Sequence, residues 1–212
     1  MGASEADVPV QSIRLHESWY SGNCYKVRLL LTQLGLPFER VEVDLKDGET
    51  RRPAFRALAP LGRVPVVVLD GGTALAESNA IMCYFGEGTP LVPSDRLERA
   101  QMMQWLFWEQ YSHEPYVAVV RAWVRYFGVP PGKEAELEER RERGVRALDT
   151  MEQHLVRRSF FVGERYSLAD IALYAYTHVA HEGGFDLSGH AAVERWMGRV
   201  RVQPGHIPID AR

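Results

Sequence analysis

The sequence comprises 212 residues, of which 46% are hydrophobic and 25% are charged, and its formal net charge is −3 at pH 7. This balance lacks the basic excess that usually marks a nucleic-acid-binding protein, so we expect no nucleic-acid partner. The longest apolar runs fall far short of the about 20 residues that a membrane-spanning helix requires, so we also expect no membrane partner. The length fits one large domain or two small ones.

The amino terminus and the cysteines indicate where the protein resides. Met1–Pro9 is acidic and lacks the layout of a signal peptide, so we expect a frayed tail on a cytoplasmic protein. Cys24 and Cys83 are too few for a disulfide framework, and reduced thiols fit a cytosolic protein. The sequence has no C-x-x-C pair, and His178 and His181 lack a third ligand, so we expect no metal.

The first part of the chain, up to Gly86, alternates between strand and helix patterns. We predict a strand at Ser12–His16, a helix at Tyr25–Gly35 and a second strand at Glu39–Asp44. Because a helix connects the two strands, they should run parallel in a right-handed βαβ unit.

Further elements are predicted before Gly86. They are a helical turn at Pro53–Leu58, a strongly apolar strand at Val64–Leu69, a hairpin turn at Asp70–Gly72, a strand at Thr73–Ala76 and a helix at Ser78–Phe85. Pro65 is the second residue of the apolar strand and cannot donate to a ladder. It therefore requires an edge position or a special geometry, such as a cis bond.

Beyond a polar linker at Gly86–Asp95, nearly every segment has a helical pattern. We predict three of its helices at Asp95–Glu114, Lys133–Val156 and Ala191–Val202. Pro115 should kink or end the first of these, before a helical segment that reaches Phe127. Ser167 and Asp170 resemble a capping box at the start of another helix. The predicted layout is a small α/β domain followed by an all-helical domain.

The stretch Tyr20–Val27, at the entrance of the first helix, gives the best indication of a function. Ser21, Gly22 and Asn23 place a hydroxyl, a glycine and an amide at a helix amino terminus. Free backbone N–H groups and the helix dipole favour an anion there. Asn23 also suits a simple N-cap and Ser21 a simple turn residue, so the residues alone leave these interpretations open.

Four motifs, taken together and in order, resemble the cytosolic glutathione transferases. They are Ser21-Gly22-Asn23-Cys24-Tyr25-Lys26-Val27, Leu61-Gly62-Arg63-Val64-Pro65-Val66, Glu77-Ser78-Asn79-Ala80-Ile81 and Tyr166-Ser167-Leu168-Ala169-Asp170-Ile171. The predicted order β-α-β-α-β-β-α is that of a thioredoxin-like fold. The resemblance implies a thioredoxin-like, glutathione-binding domain at 10–86 and an all-helical bundle at 95–205. It also implies a cis Val64–Pro65 bond and a homodimer.

Within this family, Ser21 matches the activating serine of the theta, zeta and phi classes. Asn23 resembles the asparagine of the bacterial nu class and of the fungal prion-regulator-like group. The resemblance therefore implies that both residues are catalytic, because they stabilise the thiolate of glutathione. The redox cysteine of the omega and beta classes would fall at Ser21 and is absent, and we expect Cys24 to be buried on the helix. Tyr20 is the nearest substitute for the tyrosine of other classes.

The resemblance also implies which residues hold glutathione, the co-substrate. Six positions match family positions that bind it: Thr50, Arg51, Arg63, Val64, Glu77 and Ser78. Glu77 would bind the γ-glutamyl ammonium, Ser78 the neighbouring carboxylate, and the backbone of Val64 the cysteinyl part. The threonine and the two arginines match less closely, since loop arginines are usually just solvated, and Ser78 also suits an ordinary N-cap.

The second substrate would lie against the helical domain. Four residues are candidates for lining an electrophile pocket: Trp19, Tyr111, His113 and Tyr116. An aromatic helix of this kind also suits a core or a dimer interface. Arg121 could contact glutathione or a substrate, but its spacing does not require either.

The sequence therefore predicts a detoxifying glutathione transferase whose bound thiolate attacks a small hydrophobic electrophile. Two alternatives remain open. One is a glutathione-dependent disulfide-bond reductase or peroxidase, which Asn23 favours slightly because asparagine-bearing groups of the family include such enzymes. The other is a non-catalytic scaffold that binds glutathione.

Overall fold

The computed structural model of the protein describes residues 12–211. The predicted tail at Met1–Pro9 and the first two positions of the predicted domain 10–86 lie outside the described residues. Within residues 12–211, no helix is long and apolar enough to cross a membrane.

A four-stranded sheet, in the order β2-β1-β3-β4, forms the centre of the first part of the chain. Its strands are β1 (Arg14–Glu17), β2 (Glu39–Glu42), β3 (Val66–Val68) and β4 (Ala74–Ala76). β1 and β2 run parallel, as predicted for the βαβ unit, whereas β3 runs antiparallel to both β1 and β4. The Val64–Pro65 bond is cis, as the resemblance implied, and Pro65 precedes β3 rather than lying inside its ladder.

Three helices accompany the sheet: α1 (Gly22–Gln33), α2 (Pro53–Leu58) and α3 (Ser78–Gly86). Strands and helices together confirm the predicted thioredoxin-like order β-α-β-α-β-β-α. α1 begins three residues earlier than predicted, because Ser21 is its N-cap. The Ser21 Oγ accepts a hydrogen bond from the Cys24 backbone N–H at 3.3 Å, and so satisfies one of the free donors of the first turn.

The second part of the chain is helical, as predicted. Its helices are α4 (Arg96–Trp108), α5 (Glu114–Ala122), α6 (Glu134–Leu155), α7 (Leu168–Thr177) and α8 (Ala191–Arg201). The predicted capping box at Ser167 is confirmed, with Asp170 as its acidic member. All ten residues of α7 are buried, so this helix is the centre of the helical part.

The junction between α4 and α5 differs from a simple kink. A π turn at Glu109–His113 connects the two helices just before Pro115, and a second π turn at Trp123–Phe127 comes after α5. Pro115 has no N–H to donate and its ring would collide with the carbonyl four residues earlier, so a wider turn relieves the conflict. Each extra residue rotates the next part of the helix by about 100° relative to a regular α-helix.

The hydrophobic core runs continuously through both parts of the chain. Leu30 of α1 and Leu173 of α7 belong to the same cluster of buried residues, and α7 packs against α1, α4 and α8. The sheet and the helical part thus share one packed face. We keep the division into domains at 10–86 and 95–205 as a proposal.

Candidate functional site

A cavity of about 790 Å³ lies between the sheet part and the helical part. The sheet part contributes the entrance of α1, the loop before β3 and the start of α3, whose polar lining residues are Ser21, Asn23, Arg63, Glu77 and Ser78. The helical part contributes Gln110, Glu114, Pro115, Val119 and Arg140. This volume is ordinary for a small-molecule site.

Ser21 lines the cavity at the amino terminus of α1. Its Oγ accepts the N–H of Cys24, so the cap bond uses a lone pair of the oxygen and does not use the hydroxyl hydrogen. Asn23 is therefore not the N-cap of α1, which was the simpler of its two interpretations.

Asn23 is instead held through its side-chain amide. The Asn23 Oδ1 accepts hydrogen bonds from Ser78 Oγ and from Gln110 Nε2, both at 3.2 Å. The Asn23 Nδ2 donates to Glu114 Oε1 at 3.2 Å. Since an amide nitrogen carries two hydrogens, one N–H of Asn23 has no partner within residues 12–211.

A buried ion pair lies behind this amide. Lys26 Nζ is 2.9 Å from Glu109 Oε2, and both side chains are fully buried. Glu109 Oε2 also accepts hydrogen bonds from Asn79 Nδ2 at 3.1 Å and from Gln110 Nε2 at 2.9 Å. The ion pair joins α1 to the end of α4, and so connects the two parts of the chain beside the cavity.

Glu114 forms part of the cavity wall and is half-buried. Burial raises the pKa of its carboxyl, as does the nearby charge of Glu109, while Lys26 and the hydrogen bond from Asn23 act in the opposite direction. A carboxylate with one acceptor position committed to Asn23 is an unusual neighbour for an anion site, because its own charge repels an anion.

Gly22 shows why the entrance motif contains a glycine. A Cβ at this position would lie only 2.5 Å from the ring of Tyr176 on α7. The Tyr176 hydroxyl in turn accepts the backbone N–H of Asn23 at 3.2 Å. α7 can therefore support the first turn of α1 only because residue 22 has no side chain.

Glu77 and Ser78 lie at the start of α3 on the cavity wall. Glu77 has a φ of 66°, which is uncommon for a residue other than glycine, and its side chain is exposed. Residues held in this left-handed region often mark functional sites. Ser78 is buried and donates to Asn23, so the two predicted motifs meet directly.

The structure does not bring all six predicted glutathione-binding positions to the cavity. Arg63, Val64, Glu77 and Ser78 line it. Thr50 and Arg51 lie in a short 3₁₀ turn at Glu49–Arg51 and do not line it, although the Thr50 carbonyl lies against Gly62, which does.

None of the four residues predicted for an electrophile pocket, Trp19, Tyr111, His113 and Tyr116, lines this cavity. Tyr111 is 82% exposed on the outer surface. His113 is fully buried, bonded to Thr177 Oγ1 at 3.0 Å, and burial lowers its pKa to about 4. Tyr116 accepts from Arg143 on a separate surface, and Trp19 packs edge-on against Tyr20.

Arg121 and Tyr20 belong to the support of the site rather than to its lining. Arg121 Nη1 donates to the Tyr20 carbonyl at 2.7 Å, while its Nε pairs with Glu182 at 2.7 Å. The Tyr20 ring stacks on Tyr126, and burial raises the pKa of its hydroxyl. Arg121 therefore fixes the backbone immediately before Ser21, and Tyr20 is a poor source of a thiolate-stabilising hydroxyl.

Cys24 is buried, as expected. Its Sγ accepts the Ser18 backbone N–H at 3.4 Å, and burial raises the pKa of the thiol to about 12. A thiol of this kind remains protonated and inert at neutral pH. Between residues 12 and 211, no group of three or more His, Cys, Asp or Glu side chains could hold a metal ion.

Sequence reasoning missed the residues of the helical part that line the cavity. Gln110 and Glu114 are four residues apart in a segment that also contains aromatic residues, and this polar pair was the available signal. The sequence indicates Arg140 as the partner of Glu136 on a surface helix, and it does form that pair. Nothing in its spacing indicates that it also lines a cavity.

Comparisons with known proteins agree with one family. Residues 20–87 match the model of the glutathione S-transferase N-terminal domain, and residues 111–204 match that of the C-terminal domain. The crystal structure of a glutathione S-transferase from Pseudomonas fluorescens is similar, with a TM-score of 0.90 and 49% identity, covering 93% of this chain and 98% of that one.

Two curated proteins extend the comparison. Glutathione S-transferase 3 of Zea mays is 35% identical over 204 residues, which are 91% of this chain and 90% of that protein. The disulfide-bond oxidoreductase YfcG of Escherichia coli is 30% identical over 189 residues, which are 86% of this chain and 87% of that protein.

Proposed function

The chain belongs to the glutathione S-transferase family, and on this basis we propose that it is a glutathione transferase. Glutathione binds in the cavity, its thiol is held as the thiolate, and the thiolate attacks a small electrophile. The observation that carries the proposal is the Ser21 hydroxyl, which lies on the cavity wall at a helix amino terminus and whose hydrogen the cap bond does not use. Asn23, with one N–H to spare, assists it.

The chemistry requires a lower thiol pKa. A free thiol has a pKa of about 8.5, so only a few per cent is thiolate at pH 7. A hydrogen bond donated to a charged group contributes about 1.5–3 kcal/mol, which corresponds to about 1–2 pKa units. The helix dipole adds to this stabilisation. Ser21 and Asn23 together could therefore make most of the bound glutathione ionised at neutral pH.

We further propose that Glu77 binds the γ-glutamyl ammonium, Ser78 the adjacent carboxylate, and Val64 the cysteinyl backbone, with Arg63 nearby. These four line the same cavity as Ser21, which supports the assignment. Thr50 and Arg51 are retained only as ligands for the glycine end, which would require the turn at Glu49–Arg51 to approach the cavity.

We predict that Ser21→Ala raises the pKa of the bound glutathione thiol by about 1–2 units and lowers kcat/KM at pH 7 by about 10- to 100-fold. The defect should shrink as the pH rises above the thiol pKa, because glutathione then ionises without help. Ultraviolet absorbance of the thiolate during a pH titration measures the pKa. Turnover is assayed with an aryl halide and with a glutathione-capped disulfide.

Ser21→Thr is the control, because it keeps the hydroxyl and the N-cap and should retain most of the activity. Ser21→Ala also loses the cap, at a cost of about 0.5–2 kcal/mol of stability, so a melting curve accompanies each assay. If Ser21→Ala leaves the thiol pKa and both turnover rates unchanged, the proposed role of Ser21 is wrong.

A second candidate function, glutathione-dependent reduction of disulfides, has one observation in its favour. The helical wall of the cavity carries the polar side chains of Gln110, Glu114 and Arg140 beside Pro115 and Val119, and none of the predicted aromatic side chains. Such a wall suits a polar second substrate better than a purely hydrophobic one. Turnover of the glutathione-capped disulfide without turnover of the aryl halide would favour this function. A chain that binds glutathione and turns over neither would be a scaffold.

We also propose a cytoplasmic homodimer with a role in detoxification. Tyr84 on α3, Phe107 on α4 and Tyr111 in the π turn after α4 are exposed aromatic residues. α3 and α4 touch where Cys83 meets Met103, and exposed aromatic residues on neighbouring elements suit an interface between two copies of the chain. Sedimentation velocity should show a dimer that Phe107→Glu dissociates. A monomer at all concentrations would contradict this.

A further inference from the structure

The hydrogen bonds around Asn23 form a chain in which each group determines whether the next one donates or accepts. Lys26 can only donate, so Glu109 must accept its N–H. Glu109 Oε2 then accepts from Gln110 Nε2 at 2.9 Å, which turns the amino end of the Gln110 amide toward Asn23. An N–H from Gln110 at 3.2 Å requires an oxygen on Asn23.

The other end of the chain imposes the same direction. Glu114 Oε1 lies 3.2 Å from Asn23 Nδ2 and, as a carboxylate, accepts the N–H. If the Asn23 amide turned over, its oxygen would face the Glu114 carboxylate and its nitrogen would face the Gln110 N–H. Both contacts would then be repulsive. The contacts with Gln110 and with Glu114 therefore favour the same orientation of the Asn23 amide.

We propose that Gln110 and Glu114 are positioning residues that fix the direction of the Asn23 amide, so that its spare N–H rather than its carbonyl is available to the glutathione sulfur. The inference rests on the proposed function and deepens it. An amide free to turn over would offer the sulfur an N–H in one orientation and a repelling oxygen in the other. The buried Lys26–Glu109 ion pair would thus affect the reaction by orienting Gln110, without contact with a substrate.

This role explains why a carboxylate lies on the wall of an anion site. The negative charge of Glu114 acts against the thiolate, so as a simple neighbour it would raise the thiol pKa. The hydrogen bond that Glu114 accepts from Asn23 lowers the thiol pKa instead, because it orients the amide. Because the two effects have opposite signs, a single substitution mixes them, and the test must separate them.

A double-mutant cycle makes the separation. The thiol pKa of bound glutathione is measured for the combined variant Gln110→Met/Glu114→Gln in two backgrounds, one with Asn23 and one with Asn23→Ala. The loss of charge is common to both backgrounds, whereas the positioning effect exists only where Asn23 is present. We expect the combined change to shift the thiol pKa differently in the two backgrounds. The shift with Asn23 present should lie about 0.5–1 unit above the shift in the Asn23→Ala background.

The affinity for S-methylglutathione, which has no thiol to ionise, is measured for the same variants, so that a change in binding is separated from a change in the thiol pKa. A matched control is the combined change Gln101→Met/Glu138→Gln, which alters the same residue types at exposed positions on α4 and α6. It should leave the thiol pKa unchanged in both backgrounds.

Two failures are distinguishable. If the protein without substitutions binds no glutathione, or leaves the pKa of the glutathione thiol at its value in solution, the proposed function is wrong and the positioning role is wrong with it. If the protein lowers the thiol pKa but the combined variant shifts it equally with Asn23 and with Asn23→Ala, only the positioning role is overturned. Equal melting temperatures among the variants show that the comparison concerns folded protein.

Discussion

Replacing Lys26 by methionine should lower the free energy of unfolding by about 3–5 kcal/mol, because it leaves the buried Glu109 carboxylate without its counter-charge. Both side chains are fully buried, and Lys26 also donates to Asn79 at 3.2 Å. Glu109 Oε1 has no hydrogen-bond partner in the part of the chain that the structure describes, so the carboxylate depends strongly on this lysine. Urea unfolding followed by tryptophan fluorescence measures the change.

The paired variant Lys26→Met/Glu109→Met is the decisive comparison. Because neither side chain of the double variant carries a charge, no unpaired charge is buried. At least half of the free energy of unfolding that Lys26→Met loses should therefore return. The part that does not return reflects Asn79 and Gln110, which lose an acceptor. Lys133→Met, which removes an exposed partner of Glu136, should cost at most about 1 kcal/mol. A double variant that is less stable than Lys26→Met would contradict the assignment.

Asp170→Asn should cost about 2–4 kcal/mol, although the two side chains have nearly the same shape. Asp170 Oδ1 accepts from the Phe161 N–H at 3.1 Å and from Trp196 Nε1 at 2.9 Å. Its Oδ2 accepts from the N–H and the hydroxyl of Ser167, both at 2.9 Å. An asparagine must place its NH₂ against one of these two pairs. At least one buried backbone N–H then loses its acceptor.

Equilibrium unfolding of Asp170→Asn and of Asp149→Asn provides the comparison. Asp149 is exposed and pairs with His190, so its substitution should change the stability by less than about 1 kcal/mol. The Trp196 indole resonance should also move, since its N–H loses a charged acceptor. A loss of less than about 1 kcal/mol for Asp170→Asn would show that the four hydrogen bonds do not depend on the charge.

The sequence indicated those helix ends and strands that depend on residues close together in the chain. Ser167 and Asp170 lie three residues apart, and the capping box that they form needs no distant contact. Gly35, with Pro37 two residues later, ends α1 as a helix stop signal predicts. The hydrophobic alternation around Val41 and the apolar run at β3 likewise indicated the strands of the sheet. Such signals act within a few residues, so they can be read without a fold.

The four residues predicted for an aromatic pocket do not line the cavity, and the reason is not local. Regular helical spacing predicts which residues share a face, but the π turn at Glu109–His113 changes the phase of the helix. Gln110 and Glu114 face the cavity, Tyr111 faces outward, and His113 is buried in the core. Nothing in the spacing of aromatic residues indicates that extra residue in the turn.

Ser21 and its place at the entrance of a helix could be read from the sequence alone, because an N-cap and a helix amino terminus are local features. The setting of Asn23 could not, since its partners Gln110 and Glu114 are 87 and 91 residues away along the chain. Only the packing of α1 against the helical part brings them within hydrogen-bond distance. The sequence by itself predicted an anion site at the entrance of α1, and the tertiary structure decided which side chains contact the amide beside it.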